Sequence, residues 1–329
     1  MRFSRFMNSW LYDDDGYYAS YRPIGKNGDF YTSVSTSKFF GGSIAKHIIS
    51  LIESGFLSKD AVICEIGAHH GYLLADIIEF IYTLKPELIE SLQFVIIERF
   101  DALIKQQTEY FRISFGDTIK LSHYHALDEL TCKEAFFIAN EVFDAFGCEL
   151  FYDGKIASVI NNKIIFDTVD EDISQKAKKY HKQKGEIAVG YEEFAKQMYS
   201  CAEKFEFMSF DYGQMQARPD FSLRVYKEHK VYPFFDESIN IFEMYKRADI
   251  TYDVTFEHVK DAFVQSGIEF IELKAQMSAL VDMGILELLQ TLKDKAADKI
   301  YAQEIDKVKP LLLPEFLGER FKMIRFKRD

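Results

Sequence analysis

From about residue 40 onward, stretches with apolar residues at helical spacing alternate with short, continuous apolar runs. Residues 37–57 (SKFFGGSIAKHIISLIESGFL) carry the 3.6-residue period of a helix, and 61–67 (AVICEIG) read as a buried strand. LLADIIEFIYTL, from residue 73, predicts a helix that stops near Pro86, and SLQFVIIER (91–99) a second strand ending at Glu98. A helix at FDALIKQQTEYF (100–111) and a strand within TIKLSHYHAL (118–127) follow. EAFFIANEVFDAF (134–146) runs from buried strand to polar turn, and FEFMSFDYG (205–213) is another strand with a polar end. The order predicts an α/β fold, a doubly wound and mainly parallel sheet with helices on both faces.

Around this frame, residues 1–40 form an N-terminal segment opening on a short amphipathic helix, and 41–329 the main domain. The charged stretch 170–204 reads as a helical insertion and 257–309 as helical additions. FSLRVYKEHKVYPFF (221–235) suggests a hairpin, and the alternation in FKMIRFKRD a last strand.

Composition narrows the classes. With 329 residues, 48% of them hydrophobic, the chain can bury a substantial core. A net charge of −12 argues against a nucleic-acid partner, and KAKKYHKQK (176–184) reads as a solvated helix face. No apolar run reaches the ~18 residues of a membrane span. The N-terminus has no signal-peptide core, and four cysteines without a CxxC pair read as reduced thiols, so a cytoplasmic protein without structural zinc is expected. The sequence leaves a homodimer open.

In doubly wound sheets ligands bind beyond the carboxyl ends of the strands, and the polar motifs fall there. Gly67 and Gly71 let the backbone turn tightly, and Glu65 can hold the loop or meet a ligand ammonium. The G-x-x-x-G spacing departs from the dinucleotide fingerprint, which argues against a pyrophosphate cofactor. Glu98 can accept two hydrogen bonds from a ribose diol, or pair with Arg99 at the surface. Neighbouring His69 and His70 make a poor metal pair, and no third ligand accompanies His123 and His125. Asn140, Glu141 and Asp144 follow a buried strand. Two carboxylates there can grip a planar guanidinium, or the polar residues can cap the next turn.

The ordered set of motifs resembles the MidA-like methyltransferases, the family of the mitochondrial complex I assembly-factor arginine methyltransferase. The residues concerned are DDGYY (14–18), GDFYTS (28–33), EIGAHHGYLLADI (65–77), ANEVFDAF (139–146), DYG (211–213) and GERFKM (318–323). The resemblance implies a class I S-adenosyl-L-methionine (SAM) methyltransferase fold. It implies SAM held by Glu65, Gly67 and Gly71 with Glu98 on the ribose. Gly28, Asp29, Phe30, Thr32 and Ser33 would cover the cofactor as part of the N-terminal segment. Asn140, Glu141 and Asp144 would line the transfer site, with Asp211 and Tyr212 shaping the substrate pocket. A protein arginine substrate is implied, a respiratory-complex subunit among the candidates. A small-molecule methyltransferase, or a binding protein that kept the fold and lost the reaction, are the rival readings. The family's proline and middle glycine are here Ala68 and His69, and Asp253 and Thr255 replace its histidine and acid.

Overall fold

The computed structural model describes residues 1–19 and 32–329. Gly28, Asp29 and Phe30 lie outside the described residues. The chain forms two compact units, and among the described residues it passes between them at Asn140–Glu141, Lys196–Gln197, Phe210–Asp211 and Ser266–Gly267.

One unit takes residues 32–140, Gln197–Phe210 and Gly267–Asp329. Its sheet is built on β1 (Val62–Ile66), β2 (Gln93–Ile97), β3 (Leu121–Tyr124), β4 (Cys132–Asn140), β9 (Ala202–Gln214), β14 (Glu269–Ala275) and β15 (Phe321–Arg328). The order is β14-β15-β9-β4-β1-β2-β3, with β3, β2, β1, β4 and β9 parallel and β15 antiparallel to β14. Successive strands move outward through β2 and β3, then return to the other side of β1 with β4. That reversal puts the topological switch point at β1, where such sheets open a crevice at their carboxyl ends.

Helices α2 (Ser33–Thr36), α3 (Phe39–Glu53), α4 (Tyr72–Leu84), α5 (Asp101–Phe115), α9 (Gln276–Asp282), α10 (Ile285–Lys295) and α11 (Asp298–Leu312) belong to the same unit. The apolar stripe of α3 (Phe40, Ile44, Ile48, Ile52) joins that of α4 (Leu74, Ile77, Ile78, Ile81) in a core that includes Ile63, Phe136 and Ile138 of the strands. The five residues of β1 are all buried, as a central strand covered on both faces requires.

The second unit takes residues 1–19, Glu141–Lys196 and Asp211–Ser266. Helix α1 (Phe3–Tyr12) buries Phe3, Phe6, Met7, Trp10 and Leu11, and the Trp10 Nε1–H donates to Ala248 O at 2.6 Å. Strands β5 (Cys148–Tyr152), β6 (Lys155–Ile160), β7 (Lys163–Thr168) and β8 (Lys184–Ala188) form an antiparallel sheet ordered β7-β6-β5-β8. Strands β10 (Arg224–Lys227) and β11 (Lys230–Pro233) make the expected hairpin, with β12 (Asp249–Thr251) on the other side of β10. The short β13 (Val254–Thr255) pairs with the end of β9, ahead of α8 (Phe256–Gln265).

Two stretches differ from the sequence expectation. Residues 170–204 hold α6 (Glu171–Lys179) and α7 (Tyr191–Cys201), but β8 lies between them and pairs with β5. Residues 257–309 contain β14 among their helices. Both strands are short, and their pairing partners lie far away in the chain, so helical periodicity on either side hid them. The lysine run on α6 is engaged: Lys176 pairs with Glu192 and Lys179 with Asp261, each at 2.5 Å.

Candidate functional site

At the switch point the chain turns sharply. Gly67 has φ 69° and lies exposed at the tip of β1, where its N–H donates to Ile97 O at 3.0 Å. The next turn closes through Gly71 N–H to Ala68 O at 2.8 Å, and Gly71, at φ 76°, is the N-cap of α4. A side chain at Gly71 would strain that conformation and crowd Phe111 of α5, its Cβ falling 3.0 Å from Cε2. His69 adopts φ 47°, a left-handed conformation that costs a non-glycine residue about 1 kcal/mol.

Two buried acids flank this turn. Glu65 Oε2 accepts from Leu74 N–H at 2.9 Å and so ties β1 to the first turn of α4. Burial pushes its carboxyl up to about 8. Glu98 follows β2; its Oε1 accepts from Phe100 N–H at 3.2 Å and its Oε2 from Gln107 Nε2 at 3.3 Å. Burial raises Glu98 as well, against the pull of those donors. An ionised carboxylate has about four acceptor positions, so beside the Phe100, Gln107 and Arg99 donors it keeps capacity for a ribose hydroxyl.

The first loop therefore fits an adenosyl ligand on two counts. It offers an open glycine backbone at the strand tip and a buried acid with spare acceptor capacity. Thr32 caps α2 by accepting from Ser35 N–H at 3.1 Å, while Ser33 Oγ donates to the buried Gln276 Oε1 at 2.8 Å. That helix packs against α3, α4 and α11.

The other predicted acids lie after β4. Asn140 is the last residue of β4, in register with Phe210 of β9. Glu141 then takes φ 54°, a second left-handed non-glycine residue at a strand tip. Such strain persists where the surroundings over-determine it, and it concentrates at functional sites. In the unit that begins there, residues 143–145 form a short 3₁₀ turn held from several sides. Asp211 Oδ2 accepts from Phe143 N–H at 2.9 Å and Asp144 N–H at 3.2 Å, and its Oδ1 accepts from Tyr212 N–H at 2.8 Å. Tyr191 Oη donates to Phe143 O at 2.8 Å and Tyr12 Oη to Ala145 O at 3.1 Å. The turn is thus capped by Asp211, and neither Asn140 nor Asp144 serves as the cap.

With its backbone fixed, Asp144 holds its carboxyl in a buried position where the Tyr212 hydroxyl bonds to it. Burial pushes this acid up to about 6, and the nearby Arg224 guanidinium opposes the rise. Arg224 donates from Nη1 to Asp253 Oδ1 at 2.6 Å and from Nε to Tyr226 Oη at 3.0 Å. Its guanidinium carbon lies 4.5 Å from the Tyr212 ring centroid, within cation–π range. The cluster therefore already contains one arginine side chain, held by the Asp253 carboxylate and an aromatic face.

Arg224 and Gln107 escaped the sequence reading. Arg224 looked like an ordinary hairpin cation. Gln107 carried a usable signal: with Leu103 and Phe111 it completes an i, i+4, i+8 stripe, a polar residue on an apolar face. Among the described residues, no group of three His, Cys, Asp or Glu is placed to hold a metal ion. The four cysteines are free thiols.

Comparison with known proteins bears on the fold and the cofactor. A family described as "Putative S-adenosyl-L-methionine-dependent methyltransferase" matches residues 43–273. The chain belongs to that family. SAM is accordingly its cofactor. Among curated relatives, "Protein arginine methyltransferase NDUFAF7, mitochondrial" of Danio rerio is 24% identical over 93% of this chain and 78% of its own length. The Rattus norvegicus protein of the same name is 23% identical over 93% and 76%. A Burkholderia thailandensis protein bound to S-adenosyl-homocysteine superposes with a TM-score of 0.84 at 22% identity, over 100% of this chain and 88% of that one. A native crystal structure from the same organism gives 0.81 at 21% identity, over 100% and 87%. These two structures establish the fold: a mainly parallel central sheet with helical additions.

Proposed function

We propose that this methyltransferase transfers the methyl group of SAM to an arginine guanidinium of a protein. What supports the reading is the carboxylate cluster after β4, in which Asp144 is buried, fixed by a pinned turn and joined by Glu141 and Asp211. Curated relatives named as protein arginine methyltransferases point the same way.

When bound, the cofactor supplies an electrophilic methyl group. In this reading Glu98 accepts the ribose hydroxyls, the Gly67 and Gly71 backbone borders the ligand, and Glu65 keeps the turn in place. Glu141 and Asp144 accept N–H bonds from the guanidinium, which orients the attacking nitrogen and draws positive charge away from it. The nitrogen that gains the methyl loses one proton. A carboxylate at about 6 remains ionised at neutral pH and can take that proton up and pass it on. Asp211 keeps its carboxylate on three backbone N–H groups and acts by holding the turn. Asn140 precedes Glu141 and Tyr212 follows Asp211 in the chain, and Thr32 and Ser33 are proposed to contribute to the cofactor side.

The test is transfer of label from methyl-labelled SAM into proteins of a lysate lacking the native enzyme, followed by acid hydrolysis. Labelled Nω-methylarginine is the expected product. Label confined to a small molecule, or to another side chain, contradicts the arginine assignment.

A further inference from the structure

Gln107 of α5 is fully buried, and each arm of its amide is engaged. Its Nε2 donates to His69 O at 2.9 Å and to Glu98 Oε2 at 3.3 Å. Its Oε1 faces His123 Nε2 of β3 at 3.0 Å. Because Oε1 can only accept, His123 contributes an N–H there, and its burial favours the neutral ring. One amide thus joins the tip of β2, the turn after β1 and the edge strand β3. Phe111, one helical turn further along α5, lies close to Gly71, where an added Cβ would fall 3.0 Å from its Cε2.

We propose that Gln107 is a positioning residue for cofactor binding, holding the Glu98 carboxylate in the orientation that receives the ribose diol and fixing the His69 turn against it. The inference rests on the assignment of Glu98 to the ribose. Gln107 donates one N–H to Glu98 Oε2 and so fixes the carboxylate plane. Phe100 N–H holds the other oxygen, so both oxygens of the carboxylate are tied to the protein. Without the amide, Glu98 can rotate, His69 O loses its donor, and the two halves of the crevice order independently.

The experiment compares calorimetric affinities for S-adenosylhomocysteine and its 2′,3′-dideoxy analogue in wild type, Gln107→Met, Gln107→Glu and Glu98→Ala. Gln107→Met should weaken S-adenosylhomocysteine about tenfold, the loss of a hydrogen bond to a charged group, and the dideoxy analogue about twofold or less. Gln107→Glu, which sets a second acid against Glu98, should show the same preference and carries the test if the methionine variant fails to fold. Equal weakening of both ligands, or none, overturns the inference. Glu98→Ala separates the two ideas. If it discriminates between the ligands while the Gln107 variants do not, the positioning role fails alone. If Glu98→Ala does not discriminate, the ribose assignment fails, and the role of Gln107 with it.

Discussion

The loop after β1 and the turn after β4 both gather buried acids, yet they are assembled on different scales. Around the loop, each acid finds its partner nearby in the chain: Glu65 binds the N–H nine residues on, and Glu98 binds donors two and nine residues on. Around the turn, partners come from afar. Asp211 reaches back 67 and 68 residues to two N–H groups, Tyr191 spans 48 residues, and Tyr12 spans 133. A local constellation is one strand, one turn and one helix, and it can be written as a motif. A long-range one exists only once its unit has folded. The first should therefore respond to point changes as a binding site, whereas damage to the second should reach both chemistry and the stability of the unit around it.

The largest separation is expected for Asp144→Asn. It removes the ionised acceptor and keeps the shape, so methyl transfer should fall by about 10³-fold, while affinity for S-adenosylhomocysteine stays within about twofold. A parallel collapse of binding would show that the turn and the loop do not divide the work.

Arg224→Met comes next. It removes the cation near Asp144 and leaves the part-buried Asp253 to its other partner, Arg218, so the loss should be about 1–2 kcal/mol. Urea denaturation should register that loss, and an unchanged midpoint would mean that the arginine contributes nothing to the turn's support.

A third contrast concerns pH. Burial raises Glu65 from its ordinary 4.5 to about 8, so the folded state holds that proton more tightly than the unfolded chain does. The contribution is whole below about pH 4.5 and is lost as pH rises through about 8, an effect of at most about 5 kcal/mol. Glu65→Gln keeps the neutral form throughout, so its unfolding free energy should fall less between pH 5 and 8 than that of wild type. Identical slopes would place the Glu65 proton elsewhere.

Much of the first region was legible in the sequence. The apolar run at 61–66, the glycines at 67 and 71 and the acid at 98 lie where period and turn chemistry put them. The parallel sheet was legible too, because buried central strands are continuous apolar runs. The second region was legible only as a short polar segment. Capping by Asn140 or Asp144 was a fair local alternative, but the donors of the turn are satisfied by Asp211, across a distance that no residue spacing reveals. Strands β8 and β14 were missed for a similar reason, since their identity as strands comes from partners elsewhere. Arg224 was hidden by type: a lysine- and arginine-bearing hairpin gives no sign of which cation turns inward.

Titration calorimetry of S-adenosylhomocysteine into wild type, Glu98→Ala and Asp144→Asn bears on all of this at once. Binding should be retained in wild type and Asp144→Asn and weakened at least about thirtyfold in Glu98→Ala, the loss of two charge-assisted hydrogen bonds. No heat from folded wild type, or binding that survives in Glu98→Ala and vanishes in Asp144→Asn, would contradict the assignment of the cofactor to the tips of β1 and β2.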